Sequence, residues 1–225
     1  MESSRIRAAT VRERVQFPIV ECQLSNESTA STRTMPVETE LKLRVESHEP
    51  VRRKLKDVGA SPIETVLETN HIYDRPEGSL RGRGCGLRLR SIVPRDGSAG
   101  RTTLTFKGPR RATAFKSREE LEIGVDDAET AARMLEQLGF VSMLCYQKRR
   151  ESWRVGGCRV ELDEPPRIGL FVEIEGPHEG AIRAVQWRLG LQKLKPVPTS
   201  YVGMLVAYCD ANGITDRTLT LAGGA

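Results

Sequence analysis

From Val37 onward, apolar and polar residues alternate with period two in one segment after another, the spacing of strands whose two faces meet different surroundings. The first such segment is Val37-Glu-Thr-Glu-Leu-Lys-Leu-Arg-Val45. Further strands are read at about Glu64 to Tyr73, Gly86 to Val93, Thr102 to Lys107, Phe115 to Val125, Met143 to Val155, Cys158 to Asp163 and Leu170 to Glu175. Gly156-Gly157 reads as the turn of a hairpin. Helical spacing covers Glu49 to Val58, a stretch capped by Asp126 or Asp127 and running to Leu138, Glu179 to Leu189, and Ser200 to Asn212. Strands outnumber helices by about eight to four, in an order that predicts an antiparallel α+β fold and not βαβ repeats.

The two faces of each strand separate cleanly. Arg88 and Arg90 oppose Leu87 and Leu89; Lys107 opposes Leu104 and Phe106 in pattern; Glu120 and Glu122 share a face, as do Lys148 and Arg150. Arg159, Glu161 and Asp163 alternate with Val160 and Leu162, and Glu173 and Glu175 with Val172 and Ile174. A sheet wetted on one face accounts for any single strand of this kind. A surface tuned for solubility mixes signs within a row, however, whereas here like charges share a row in strand after strand. The pattern therefore predicts an inward ionic face, a barrel with a charged interior, and helices covering the apolar outside.

The chain has 225 residues, 38% hydrophobic and 29% charged, as in an ordinary soluble globular protein, and a formal net charge of +5. The basic residues are interleaved with acidic ones, which disfavours nucleic acid as the partner and favours a small acidic ligand. Cys22, Cys85, Cys145, Cys158 and Cys209 are odd in number and scattered, so they read as reduced thiols of a cytoplasmic protein, not as a disulfide framework or zinc site. No stretch has the length of a transmembrane helix, and no membrane partner is expected. Residues 1–35, with Arg5, Arg7, Arg12 and Arg14 before a Ser/Thr run, read as a flexible N-terminal extension, 36–212 as one domain and 213–225 as a flexible tail.

Charge assigns candidate roles. Glu38, Glu40, Glu173 and Glu175 are hard oxygen donors suited to one or two Mg²⁺ or Mn²⁺ ions. Arg88, Arg90, Lys107, Lys148 and Arg150 are donors for phosphate oxygens, and Lys42 lies on the row of the first two glutamates. Such a set meets the needs of phosphoryl chemistry. Gly82-Arg-Gly-Cys-Gly86 reads as a hairpin turn and not a phosphate loop, since no helix with a Walker lysine follows. His48, His71 and His178 read as exposed or hydrogen-bonding, Trp153 and Trp187 as packing residues, and Ser200 as a helix cap.

Taken in order, Glu38-Thr-Glu-Leu-Lys42, Leu87-Arg-Leu-Arg90, Leu104-Thr-Phe-Lys-Gly-Pro109, Arg118-Glu-Glu-Leu-Glu122, Gln147-Lys-Arg-Arg-Glu-Ser-Trp153, Leu162-Asp-Glu164, Phe171-Val-Glu-Ile-Glu175 and Ser200-Tyr201 resemble the CYTH superfamily, the triphosphate tunnel metalloenzymes. Within it, the Lys107-Gly-Pro109 and Arg118-Glu-Glu120 segments look most like the class IV, CyaB-type adenylate cyclases. The resemblance implies an eight-stranded antiparallel closed barrel around a tunnel for a triphosphate and one or two divalent metals. It implies metal ligands at Glu38, Glu40, Glu173 and Glu175, triphosphate contacts at Arg88, Arg90, Lys107, Lys148 and Arg150, and site positions for Lys42 and Asp163, which are taken as the catalytic pair. Arg149 is expected to face away. The implied activity is conversion of ATP to cyclic AMP and pyrophosphate. The alternatives are hydrolysis of tripolyphosphate, thiamine triphosphate or a nucleoside triphosphate, and a non-catalytic polyphosphate-binding module. The expected partner is a small-molecule triphosphate, and a homodimer is compatible with this reading.

Overall fold

The computed structural model describes residues 39–109 and 119–221, and within them the period-two segments are strands. In chain order the elements are β1 (Thr39–Val45), α1 (Glu49–Asp57), β2 (Ser61–Asp74), α2 (Ser79–Gly82), β3 (Gly86–Pro94), β4 (Arg101–Lys107), β5 (Glu120–Val125), α3 (Ala128–Gln137), β6 (Val141–Val155), β7 (Cys158–Glu164), β8 (Leu170–Gly176), α4 (Glu179–Arg188), α5 (Tyr201–Ala211) and β9 (Thr218–Leu219). The sheet order is β1-β8-β7-β6-β2-β3-β4-β5, every neighbour antiparallel, and β9 adds to β6 in parallel.

Local chemistry sets the boundaries. Gly156 and Gly157 both adopt positive φ, 58° and 74°, as the two central residues of the tight β6–β7 turn must, and Val155 pairs with Cys158 across it. The Asp127 side chain accepts from the Thr130 N–H at 3.0 Å to cap α3, and the Ser200 hydroxyl accepts from the Gly203 N–H at 3.2 Å to cap α5. Asp74 at the end of β2 accepts the N–H groups of Arg75, Leu80 and Arg81 at 2.7, 2.8 and 3.0 Å, which shapes the one-turn helix α2 where the sequence suggested only a turn.

The expected closure is not present among the described strands: β1 and β5 end the path without pairing to each other. A physical reason lies at the free edge of β1, where Leu43 bridges Pro196 and the Val197 N–H donates to the Lys42 carbonyl at 2.8 Å. The segment after α4 thus occupies an edge that β5 would need.

Helices do not all cover the outside either. Leu43, Val160, Val172 and Ile174 on the apolar face pack with Val51 and Leu55 of α1 and Ile182 and Val185 of α4, and α3 buries Leu135 with Leu87 and Leu89. α5 instead packs Tyr201, Leu205 and Cys209 on Leu144, Tyr146 and Phe171, which share their strand faces with Lys148, Arg150 and Glu173. The last helix therefore sits on the ionic side, because that side turns apolar at one end. The stretch read as a flexible tail from 213 likewise continues the fold: Leu219 and Leu221 are buried, with Cys145 paired to Thr218 and Tyr146 to Leu219. Trp153 is a core residue as expected, whereas Trp187 is 70% exposed on α4 and packs little. No described helix is long and apolar enough to cross a membrane.

Candidate functional site

Strand register brings the charged rows side by side. Lys42 lies opposite Glu173, Glu173 opposite Glu161, Glu40 opposite Glu175, Glu68 opposite Lys148, and Asn70 opposite Arg90. These rows border a cavity of about 940 Å³, lined by Glu40, Lys42, Arg88, Arg90, Lys107, Lys148, Arg150, Glu173 and Glu175 among others. That volume suits a small-molecule site. Asp163 lies behind its wall and Glu38 lies outside the described residues. Arg149 points elsewhere and pairs with Glu164 at 3.2 Å.

Beneath the cavity the ions are fully engaged. The Lys148 ammonium lies 3.2 Å from both Glu68 and Asp163. Arg150 donates to both Asp163 oxygens at 2.7 and 2.6 Å and to Glu173 at 2.8 Å, while the Tyr201 hydroxyl donates to Asp163 at 2.9 Å. Arg90 reaches Glu68 at 3.2 Å and the Asn70 side-chain oxygen at 2.9 Å. Lys42 pairs with Glu173 at 3.1 Å and stands 3.7 Å above the Tyr201 ring, a cation–π contact that fixes the ammonium toward the cavity. Glu68 and Asn70 belong to this network although the sequence reading passed over them. Their signal was the shared parity of Glu64, Glu68 and Asn70 along β2, overshadowed by the apolar residues between them.

Burial alone would push the Glu68 carboxyl up, but Lys148, Arg90 and Arg150 outweigh it and hold the group far below the usual carboxylate range. For Lys148, burial and then the Arg150 charge push the ammonium down, against the pull of Asp163 and Glu68. A depressed carboxylate contributes stability that is present above its unfolded value and lost as pH falls through its folded value. The Glu68 contribution should thus be complete above the range where free glutamate titrates, about 4.3, and decline as pH falls below it while the folded carboxylate stays ionised. Urea unfolding from pH 7 to pH 3 checks this. Wild type minus Glu68→Gln should give a stability difference that is flat down to about pH 4.5 and shrinks below it as the unfolded chain takes up protons; a difference that falls already between pH 7 and 5 would contradict the assignment.

At the cationic side, Arg88 donates to the Thr105 hydroxyl at 3.3 Å, and Thr105 in turn donates to Glu122 at 2.7 Å. Lys107 pairs with Glu120. Among the described residues the Arg88 Nε is buried without a hydrogen-bond partner, and burial followed by the Arg90 charge lowers the guanidinium to about 10. An orphaned donor at this depth is an opening for an acceptor-rich ligand.

The acidic side gathers Glu40, Glu161, Glu173 and Glu175. Burial first, then the charges of Glu161 and Glu40, push the Glu175 carboxyl up, a strain that a cation between them would relieve. Among the described residues no group of three such side chains forms a ready metal cage. The donor set nonetheless fits Mg²⁺ chemistry, since that ion commonly takes one or two carboxylates and completes its shell with water and phosphate oxygens.

The remaining candidates take structural roles. His48 bonds the Phe171 carbonyl at 3.0 Å, and His178 caps α4 by accepting from the Ala181 N–H at 3.1 Å. His71 stacks on Tyr73. The glycine-rich turn does border the cavity through Arg83, Gly84 and Cys85. Tyr201, given no role of its own in the sequence beyond a helix start and one block of the family likeness, joins this network through its contacts with Asp163 and Lys42.

The antiparallel sheet thus turns cations and carboxylates from several strands toward one cavity. The CYTH domain model matches residues 36–185, and the chain belongs to this family. A Methanocaldococcus jannaschii protein provisionally named an adenylate cyclase is 26% identical over 139 residues, 62% of this chain and 76% of the relative. Adenylate cyclase CyaB of Aeromonas hydrophila is 34% identical over 112 residues, 50% of this chain and 53% of its own length, so the match spans about half of that protein. A solved Hippeastrum structure, provisionally named an adenylyl cyclase and described as revealing a dominant triphosphatase activity, has a TM-score of 0.58 at 19% identity, covering 80% of this chain and 97% of its own.

Proposed function

We propose that this protein is a divalent-cation-dependent enzyme acting on a triphosphate, and that its reaction is the cyclisation of ATP to cyclic AMP with release of pyrophosphate. The observation that carries the reading is the convergence of Lys42, Arg88, Arg90, Lys107, Lys148 and Arg150, from β1, β3, β4 and β6, on the cavity that Glu40, Glu173 and Glu175 also line. The similarity to proteins named adenylate cyclase supports the choice of reaction.

In this scheme Arg88, Arg90, Lys107 and Lys148 grip the β- and γ-phosphates and spread the charge that grows on the departing pyrophosphate. Arg150, held by Asp163 and Glu173, has little freedom left and so meets phosphate already oriented. Asp163 acts as a positioning residue, fixing Lys148, Arg150 and Tyr201 from behind the wall. Lys42 is placed to touch the phosphate chain. Glu40, Glu173 and Glu175, with Glu38, would hold Mg²⁺ or Mn²⁺, whose chemistry when bound is to acidify the ribose 3′-hydroxyl and to neutralise phosphate charge. The bond formed is 3′-oxygen to α-phosphorus, and the bond broken joins the α-phosphorus to the bridging oxygen of pyrophosphate.

A triphosphatase is the second reading, favoured by the activity described for the Hippeastrum protein of similar fold. Both reactions use the same cations and carboxylates. Incubation with ATP, and separately with tripolyphosphate, in Mg²⁺ or Mn²⁺ followed by phosphorus NMR separates them. Cyclic AMP with pyrophosphate is expected; orthophosphate release in its place would establish the hydrolase, and inert substrates would leave only a binding module.

A further inference from the structure

We propose that Arg217 is a specificity-determining residue that selects triphosphates bearing a nucleoside head group over a bare triphosphate chain. This builds on the triphosphate reading above. Arg217 lies beyond residue 185, where the match to the family model ends, so the family likeness assigns it no role.

Its position is built, not incidental. Arg217 is one of two non-glycine residues with positive φ among those described, at 49°, a conformation that costs an ordinary residue free energy and persists only where neighbours enforce it. Here the Cys145 N–H donates to the Arg217 carbonyl at 3.0 Å, β9 begins at the next residue and pairs with β6, and the guanidinium pairs with Asp210 of α5 at 2.8 Å. The side chain thereby borders the main cavity and also an adjoining one of about 340 Å³, sharing both with Arg81 and Met143.

The size and chemistry of this end call for something other than phosphate. Even at water's share of roughly 30 Å³ per heavy atom, the thirteen heavy atoms of a triphosphate fill only about 400 Å³, well under the main cavity's about 940 Å³. On β6 the carboxylate-linked Arg150 is seven residues from Met143, roughly 24 Å at 3.4 Å per residue. The wall near Met143 includes Ile72, Leu144, Val202 and Val206, which offer phosphate nothing. A flat heterocycle suits apolar walls flanked by a guanidinium, whose planar face stacks on aromatic rings in a way an ammonium does not.

Calorimetric titration of wild type, Arg217→Ala and Arg217→Lys with ATP and with inorganic tripolyphosphate, in Ca²⁺, tests the assignment, with melting temperatures as the folding control. Expected is a roughly tenfold weaker ATP affinity in both variants, since lysine keeps the charge and loses the flat face, with tripolyphosphate affinity within about twofold of wild type. Val206→Trp, which fills the apolar wall and leaves the Arg217 side chain itself unchanged, should also exclude ATP and spare tripolyphosphate. Equal losses for both ligands would reduce Arg217 to a general attractor of anions, and no loss for either would remove it from the site; both results overturn the proposal. Wild type that binds tripolyphosphate but not ATP overturns it while sparing the triphosphate reading, whereas failure to bind either ligand sinks that reading and this one together.

Discussion

Glu173→Gln should lower turnover about 10³-fold while triphosphate affinity stays within a few-fold of wild type. Glutamine keeps the shape of the side chain but removes its charge, and with it the hard anionic oxygen proposed to hold the divalent ion. The carboxylate is buried and touches two cations, Lys42 at 3.1 Å and Arg150 at 2.8 Å. Burial and the neighbouring Glu40 charge oppose ionisation of Glu173; Lys42, Arg150 and Lys148 overcome both and keep the carboxyl below the ordinary range. It is therefore ionised at neutral pH even without a metal. Neutralising it leaves more positive charge beside the phosphates, so ground-state binding should not suffer. Steady-state product formation beside calorimetric binding of tripolyphosphate distinguishes the two quantities. Turnover within tenfold of wild type would remove Glu173 from the proposed ligand set.

The second large effect is on stability. Asp163→Ala takes away a carboxylate with no exposure and leaves Lys148, Arg150 and the Tyr201 hydroxyl facing an empty space. Breaking a buried ion pair by removing one partner costs about 3–5 kcal/mol. For a chain of this size that corresponds to a fall in melting temperature of roughly 6–20 °C. The freed cations make the variant hungrier for anions, so tripolyphosphate should raise its melting temperature more than it raises that of wild type. Differential scanning fluorimetry with and without tripolyphosphate reads both numbers. A fall smaller than about 3 °C would mean that the network is wetter than its geometry indicates.

Much of this was legible in the sequence because strand faces obey a strict period. Arg88 and Arg90, Lys148 and Arg150, and Glu173 and Glu175 declared their common faces by spacing alone, and the cavity gathers them. Glu68 was harder to see, since a single carboxylate four residues from Glu64 resembles the polar dots of any half-wet strand. Its role comes from register, which places it opposite Lys148, and register depends on turns and bulges that spacing does not reveal. The same limit explains why the expected closure failed: no periodicity announces that Pro196 and Val197 will take the edge of β1. α5 also misled, because its nearly all-apolar run reads as a helix for the outer layer, whereas Leu144 and Phe171, on the charged parity, give it an inner seat.

That inner seat ties the beginning of the chain to its end. Lys42 in the first strand depends on Tyr201 in the last helix, and Phe171 and Leu144 stay bare until residues near 205 arrive to cover them. A nascent chain emerging from the ribosome cannot finish its ionic interior early, and a fragment cut at residue 185 would carry every basic group of the row yet lack the piece that dries it.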